Sequence, residues 1–229
     1  MQAQHLFNGL VSGQFEIILV PNGGAIAGSP VLKQCESLAK KFSQVKVVAI
    51  EEKGKGRALQ QGFRHSTGDW IFFTDADLPY RLSFFKIAKD ALEKGTGLVA
   101  GNRRLPESRF NVPTTALRLV YRRYVLGKLF NSFLRLSFSE IKTHDTQAGI
   151  KAMTRSLAER AFSRQLCPGF LFDIEIFIHA SVIGAPILEL PVELYLDNEK
   201  STVRILKEIF ACGYWMIILK LNQMKGYFS

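Results

Sequence analysis

Cysteine is scarce in this 229-residue chain: Cys35, Cys167 and Cys212 stand far apart, with no CxxC and no Cys/His spacing suited to zinc. That excludes a disulfide-stapled scaffold and a zinc finger. The odd, scattered count implies reduced thiols and a cytosolic setting. Long apolar runs are missing as well. The most hydrophobic stretch, the eleven residues 209–219 (IFACGYWMIIL), is closed off by Lys207 and Glu208 before it and Lys220 after it. As a helix it would reach about 16 Å against the roughly 30 Å of bilayer hydrocarbon, so it does not cross a membrane by itself. The first twelve residues have neither a basic n-region nor a continuous apolar h-region, and no secretory leader is expected in them. There is no internal repeat, no Pro/Gly/Ser-rich linker and no GxxxxGK[ST] phosphate loop.

Acidic residues are outnumbered, 20 against 30 Lys+Arg, which leaves a formal charge of +10. Such a surface favours anionic partners. The excess is concentrated: Arg103, Arg104, Arg109, Arg118, Arg122, Arg123, Lys128 and Arg135 share one segment with a single acid, Glu107. No nucleic-acid motif accompanies it, so nucleic acid is not an expected partner, and phosphorylated small molecules and anionic lipid are. Apolar residues are plentiful at 47%, with 18 Phe, enough for a sizeable core and too many for a disordered chain.

Short β-rich runs alternate with helical patterns. Residues 15–20 (FEIILV), 45–50 (VKVVAI), 70–74 (WIFFT), 98–101 and 187–192 read as strands; 30–43, 55–67, 81–94, 114–136, 154–163 and 172–184 read as helices. Runs with few polar interruptions suit strands buried on both faces, and the alternation predicts an α/β fold with a mostly parallel sheet flanked by helices. Ligands of such sheets bind beyond the carboxyl ends of the strands. There the sequence places Pro21-Asn22-Gly23-Gly24, Lys53-Gly54-Lys55-Gly56, Asp75-Ala76-Asp77 and Asn102-Arg103-Arg104, so one edge collects two carboxylates, a Gly/Lys turn and an arginine pair.

At i and i+2 in extended chain, Asp75 and Asp77 have Cα atoms about 6.6 Å apart with side chains on one side. Two such carboxylates repel unless a cation joins them, and Mg²⁺ or Mn²⁺ sharing oxygens with a substrate diphosphate fits. The competing reading is a helix cap for the segment that follows. In the Gly54-Lys55-Gly56 turn, glycine permits close backbone approach and the coming helix N-terminus favours an anion.

The stretch KGKGRALQQGFRHSTGDWIFFTDADL resembles the central signature of the family 2 glycosyltransferases with the GT-A (nucleotide-diphospho-sugar transferase-like) fold. The later blocks DTQAGIKAMTRSLAERAF and GFLFDIEIFIHASVIGAPILELPVEL resemble the polyprenyl-phosphate branch, the dolichyl-phosphate mannose and glucose synthases. The resemblance implies that Asp75 and Asp77 form the DxD that holds the divalent metal and the sugar nucleotide. Gly54, Lys55 and Gly56 line the nucleotide. Arg103 lies near the phosphates, with Arg104 beside it. Gln147 and Lys151 sit beside donor sugar and acceptor phosphate. Asp173 and Glu175 lie beneath the acceptor, and 200–204 (KSTVR), with Arg204, closes over the diphosphate. Relative to the family pattern, residues 2–11 align with the helix that follows the family's first strand. That strand is therefore expected to be missing and the sheet to carry a gap or an exposed edge. Pro79 stands where mannose synthases often carry a metal-binding Gln, which favours the glucose-type branch.

The expected function is metal-dependent, inverting transfer of a hexose from a UDP-glucose or GDP-mannose type donor to a polyprenyl phosphate. A phosphate acceptor is already largely dianionic at pH 7 and needs cations rather than a base, whereas an alcohol would need Asp173 or Glu175 as base. Asp77, Asp173 and Gln147 are the expected catalytic residues; Arg103, Arg104, Lys151 and Arg204 are the expected acceptor and phosphate ligands. The catalytic domain is expected over 1–200 and an amphipathic helical tail over 201–229. The protein is expected in the cytoplasm, peripheral on the membrane's cytoplasmic face, with helix 114–136 resting on anionic lipid. The alternatives are a catalytically impaired membrane-associated relative and a sugar-phosphate nucleotidyltransferase.

Overall fold

A computed structural model describes residues 15–24, 28–114, 117–195 and 205–228. Its first half runs β1 (Ile17–Leu19), α1 (Pro30–Lys41), β2 (Val45–Val47), α2 (Lys55–Arg64), β3 (Trp70–Thr74), α3 (Phe84–Glu93), β4 (Leu98–Asn102) and β5 (Arg109–Asn111). The second half runs α4 (Leu117–Ser137), β6 (Ile150–Thr154), α5 (Arg155–Ser163), α6 (Phe172–Val182), β7 (Ile187–Pro191), β8 (Glu193–Tyr195) and α7 (Ile205–Met224). Local chemistry sets several ends. Ser29 caps α1 by accepting from the Leu32 amide, Pro30 opens the helix, and Lys40 and Lys41 face its negative end. Thr154 caps α5 in the same way through the Leu157 amide.

The central sheet has the order β3-β6-β4-β7. β4 and β7 are parallel, whereas β6 runs antiparallel to both β3 and β4, so three of its strands point one way and one the other. Every residue of β4 is buried, and β7, at one edge, is mostly exposed. Alternation along the inner strands builds two cores. Leu98, Ala100 and Met153 join α5, α6, Leu134 and Phe138 on one face; Val99, Ile150 and Ala152 join Phe85, Ala88 and Leu92 of α3 on the other. Met216 and Leu219 of α7, with Phe228, belong to the first core. The boundary expected at residue 200 falls among residues outside those described.

β6, β5 and β8 are additions to the strands read from sequence. β6 (IKAMT) was hidden because a lysine interrupts its apolar pattern, and that lysine is buried through an ion pair. β1 and β2 form a separate parallel pair, and β5 and β8 another. Ile17 N and Leu19 O bond toward β2, while Asp69 O and Asp75 N bond toward β6. On their opposite edges neither β1 nor β3 pairs with a strand among the described residues. Contact there comes instead from Glu16, which accepts from the amide and hydroxyl of Thr67, and from Gly62 of α2, which abuts Ile18 and Val20.

Candidate functional site

Segments far apart in sequence converge where β3 ends and antiparallel β6 begins. Asp75 leaves β3 with its amide donating to Gly149 O (3.1 Å). Its carboxylate lies directly over Gly149, where a Cβ would stand 1.9 Å from Oδ2, so no side chain other than hydrogen fits. Lys55 of α2 reaches across to form an ion pair with that carboxylate. The chain then turns: Leu78 N donates to Asp75 O (3.0 Å), and Leu78 takes φ 48°, a left-handed conformation uncommon for leucine. The turn leaves Asp77 exposed, with no ion pair among the described residues. The two carboxylates expected to act together are thus in different states, one held by a lysine and one open to solvent.

Beneath them lie two ion pairs whose carboxylates are buried. Asp145 is fully buried and accepts three bonds from Arg103: from its amide (2.9 Å), Nε (2.8 Å) and Nη2 (2.8 Å). Burial opposes the charge of Asp145, but the bonds and charge of Arg103 outweigh it and hold the carboxyl below its usual range. Burial likewise works against Arg103, and Asp145 again prevails, holding the guanidinium above its usual value. Lys151 is completely enclosed, its ammonium bonded to Asp173 (2.6 Å) and to Ala148 O (2.7 Å). Burial pushes the Lys151 ammonium down and the Asp173 carboxyl up, both toward their neutral forms. Lys55, by contrast, overcomes its burial through the charges of Asp173 and Asp75 and is held above its usual value.

Of the expected residues, Gly54, Lys55, Gly56, Asp75, Arg103, Lys151 and Asp173 are therefore brought together. Lys151 and Arg103, read from sequence as phosphate ligands, spend their charge on Asp173 and Asp145. Arg104 donates its amide to Asn102 Oδ1, and its guanidinium approaches Gly127 of α4. Gln147 is half-buried, with its amide 3.3 Å from Asp145 Oδ1. Glu175 faces away from the network, onto the amides of Leu166 (2.7 Å) and Cys167 (2.6 Å). Residues 2–11, and 200–204 with Arg204, lie outside those described. Sequence reasoning did not single out Tyr80, whose hydroxyl accepts from Gly149 N (3.1 Å) and whose burial raises its pKa. It also passed over Asp145 and Gly149 as individual residues. Their signal was an acid and a glycine four apart in the DTQAG segment, just before a strand.

Beside this site, α4 exposes a run of large apolar side chains. Tyr121, Val125, Leu129, Phe133 and Leu136 are exposed, Leu136 to 83%, with Lys128 exposed among them. α7 adds Tyr214, Ile217, Leu221 and Met224. Among the described residues, no helix is long and apolar enough to cross a membrane.

A family model described as glycosyl transferase family 2 matches residues 6–162. A dolichyl-phosphate beta-glucosyltransferase of Dictyostelium discoideum is 28% identical over 224 residues, covering 89% of this chain and 65% of its own length. The Mus musculus protein of the same name is 29% identical, with 93% and 65% covered, and that of Saccharomyces cerevisiae is 28% identical, with 84% and 60% covered. The chain thus spans less than two thirds of these relatives. Among solved structures, glucosyl-3-phosphoglycerate synthase from Mycobacterium tuberculosis with bound UDP superposes with a TM-score of 0.58 at 20% identity, over 94% of this chain and 71% of that one. The same synthase with Mn²⁺, UDP-glucose and phosphoglyceric acid gives 0.57 at 19% identity, over 96% and 72%. These likenesses establish the GT-A fold.

Proposed function

This chain belongs to glycosyl transferase family 2, and from that premise we propose that it moves glucose from UDP-glucose to a dolichyl-type polyprenyl phosphate. One observation carries the reading: the Gly54–Gly56 turn, Asp75 and the 145–151 segment, each read separately from sequence, meet through the Lys55–Asp75 pair over Gly149. The glucosyl relatives and the UDP-glucose-bound fold neighbours support the choice of donor.

The acceptor phosphate oxygen would attack C1 of glucose as the bond from C1 to UDP breaks, inverting the anomeric carbon. A dianionic phosphate needs no base, which agrees with Glu175 being turned away and Asp173 being tied to Lys151. The N-terminus of α2, with Lys55 in its first turn, would take the donor's diphosphate. Asp145 and Asp173 would act by fixing Arg103 and Lys151. No three His, Cys, Asp or Glu side chains converge as a complete metal cage among the described residues. Asp75 and Asp77 nevertheless fit a divalent cation. They are hard oxygen donors two residues apart in one turn, and Asp75 already faces a cation in Lys55. Mg²⁺ or Mn²⁺ bound there would neutralise charge on the departing diphosphate.

The acceptor lies in a membrane, and the apolar, cationic face of α4 would rest on the anionic leaflet that contains it. On this reading the protein works at the cytoplasmic face of a membrane, the side whose lipids carry the anionic charge. Calorimetric titration of UDP-glucose and GDP-mannose, with Mn²⁺ and with chelator, beside Asp77→Ala, tests the donor site. Metal-dependent binding of UDP-glucose that Asp77→Ala abolishes is the expected result. Absence of binding by the folded chain overturns the reading.

A further inference from the structure

Glu175 lies in the first turn of α6, two residues beyond Asp173, and is buried. Residues two apart on a helix point to nearly opposite sides, so the two acids serve different neighbours. Asp173 faces Lys151, whereas both oxygens of Glu175 are used on consecutive backbone amides, those of Leu166 and Cys167. The segment they hold is the floor under the glycine turn. Pro168 O accepts from Arg57 N (3.1 Å), one of the amides that the start of α2 leaves unpaired. A Cβ on Gly54 would lie 2.2 Å from Pro168 O, and one on Gly56 would lie 2.7 Å from Cys167 O. Gln165 Nε2 braces the same segment by donating to Cys167 O (2.7 Å).

We propose that Glu175 is a positioning residue for the donor-binding turn: its carboxylate fixes residues 165–168, and those in turn fix Gly54, Gly56 and the start of Lys55. The role rests on reading that turn as the nucleotide-sugar site, but the mechanical link does not. Glu175→Gln removes one acceptor and sets an NH₂ against a backbone amide, loosening the floor while leaving the Lys55–Asp75 and Lys151–Asp173 pairs intact.

Two measurements separate the link from the function. In the chain without nucleotide, Glu175→Gln should speed amide hydrogen exchange of the 53–58 peptide severalfold while β4 exchanges as before. An unchanged 53–58 peptide overturns the proposal whether or not UDP-glucose binds. In transfer assays the variant should raise KM for UDP-glucose about three- to tenfold, as expected for one lost hydrogen bond, with kcat within about twofold. A fall in kcat with KM unchanged would refute a positioning role. Gln165→Ala, which disturbs no charge, should accelerate the same 53–58 peptide and serves as the decisive variant if Glu175→Gln does not fold.

Discussion

Replacing Lys151 by Met tests whether the innermost ion pair is architecture or ligand. The ammonium is fully enclosed, its partner Asp173 is 3% exposed, and the two are 2.6 Å apart. Met fills most of the lysine's volume, so the packing loss is small. What remains is a carboxylate in the core, with Lys55 as its nearest cation, and an Ala148 carbonyl without its donor. Breaking one side of a buried pair costs about 3–5 kcal/mol. For a chain of this length each kcal/mol lowers Tm by about 2–4 °C, so a fall of about 6–20 °C is expected. Removing both charges, with Lys151→Met and Asp173→Leu together, should return stability to within about 2 kcal/mol of the parent, because both groups were already pushed toward neutrality by burial. Denaturant unfolding of the parent, both single variants and the double variant closes the cycle. If Lys151→Met leaves stability within about 1 kcal/mol of the parent while KM for the lipid phosphate rises, the reasoning fails and Lys151 is a ligand after all.

Gly149→Ala would drive a methyl into the Asp75 carboxylate, so it should abolish metal-dependent UDP-glucose binding in calorimetry while the protein remains folded by circular dichroism. His179 is fully buried against Phe228, and neither ring nitrogen has a hydrogen-bond partner among the described residues. Burial lowers its pKa to about 4, so the folded protein resists protonation and loses stability as pH falls from 6.5 toward 4. Burial lifts Glu175 from 4.5 to about 7, so stability falls as pH rises through that window, opposing His179. His179→Leu should therefore stabilise the protein more at pH 5 than at pH 7.5 in denaturant titrations; a pH-independent difference would contradict the assignment. Leu129→Ser with Phe133→Ser should weaken sedimentation with anionic vesicles about tenfold or more, given 1.5–3 kcal/mol per buried apolar side chain, and leave donor binding unchanged.

Where one physical rule governs a segment, the sequence was readable. LVAGN is buried along its whole length inside the sheet, WIFFT at the edge packs its side chains onto both cores, and the helices around 30, 55, 84, 155 and 172 declared themselves through the spacing of their apolar residues. The Gly/Lys turn and the two aspartates were singled out because strand ends in α/β sheets are where ligands bind. β6 was missed because Lys151, a charged residue in a short apolar run, looks like an exposed interruption until its partner is known. That partner, Asp173, is 22 residues away on another element. Asp145 and Arg103, 42 residues apart, pose the same problem. Residue type identified which side chains carry charge, but only the fold reveals that two expected phosphate ligands are spent on internal carboxylates. Lys55, held by Asp75 at the mouth of the site, is then the cation best placed to exchange its partner for a substrate phosphate. Lys55→Ala should weaken donor binding far more than Arg103→Ala weakens it at equal folded fraction, whereas Arg103→Ala should cost more stability, because it strands Asp145 without a charge partner in the core. The opposite order in a paired binding and unfolding measurement would mean that Arg103, not Lys55, leaves its carboxylate to meet the donor.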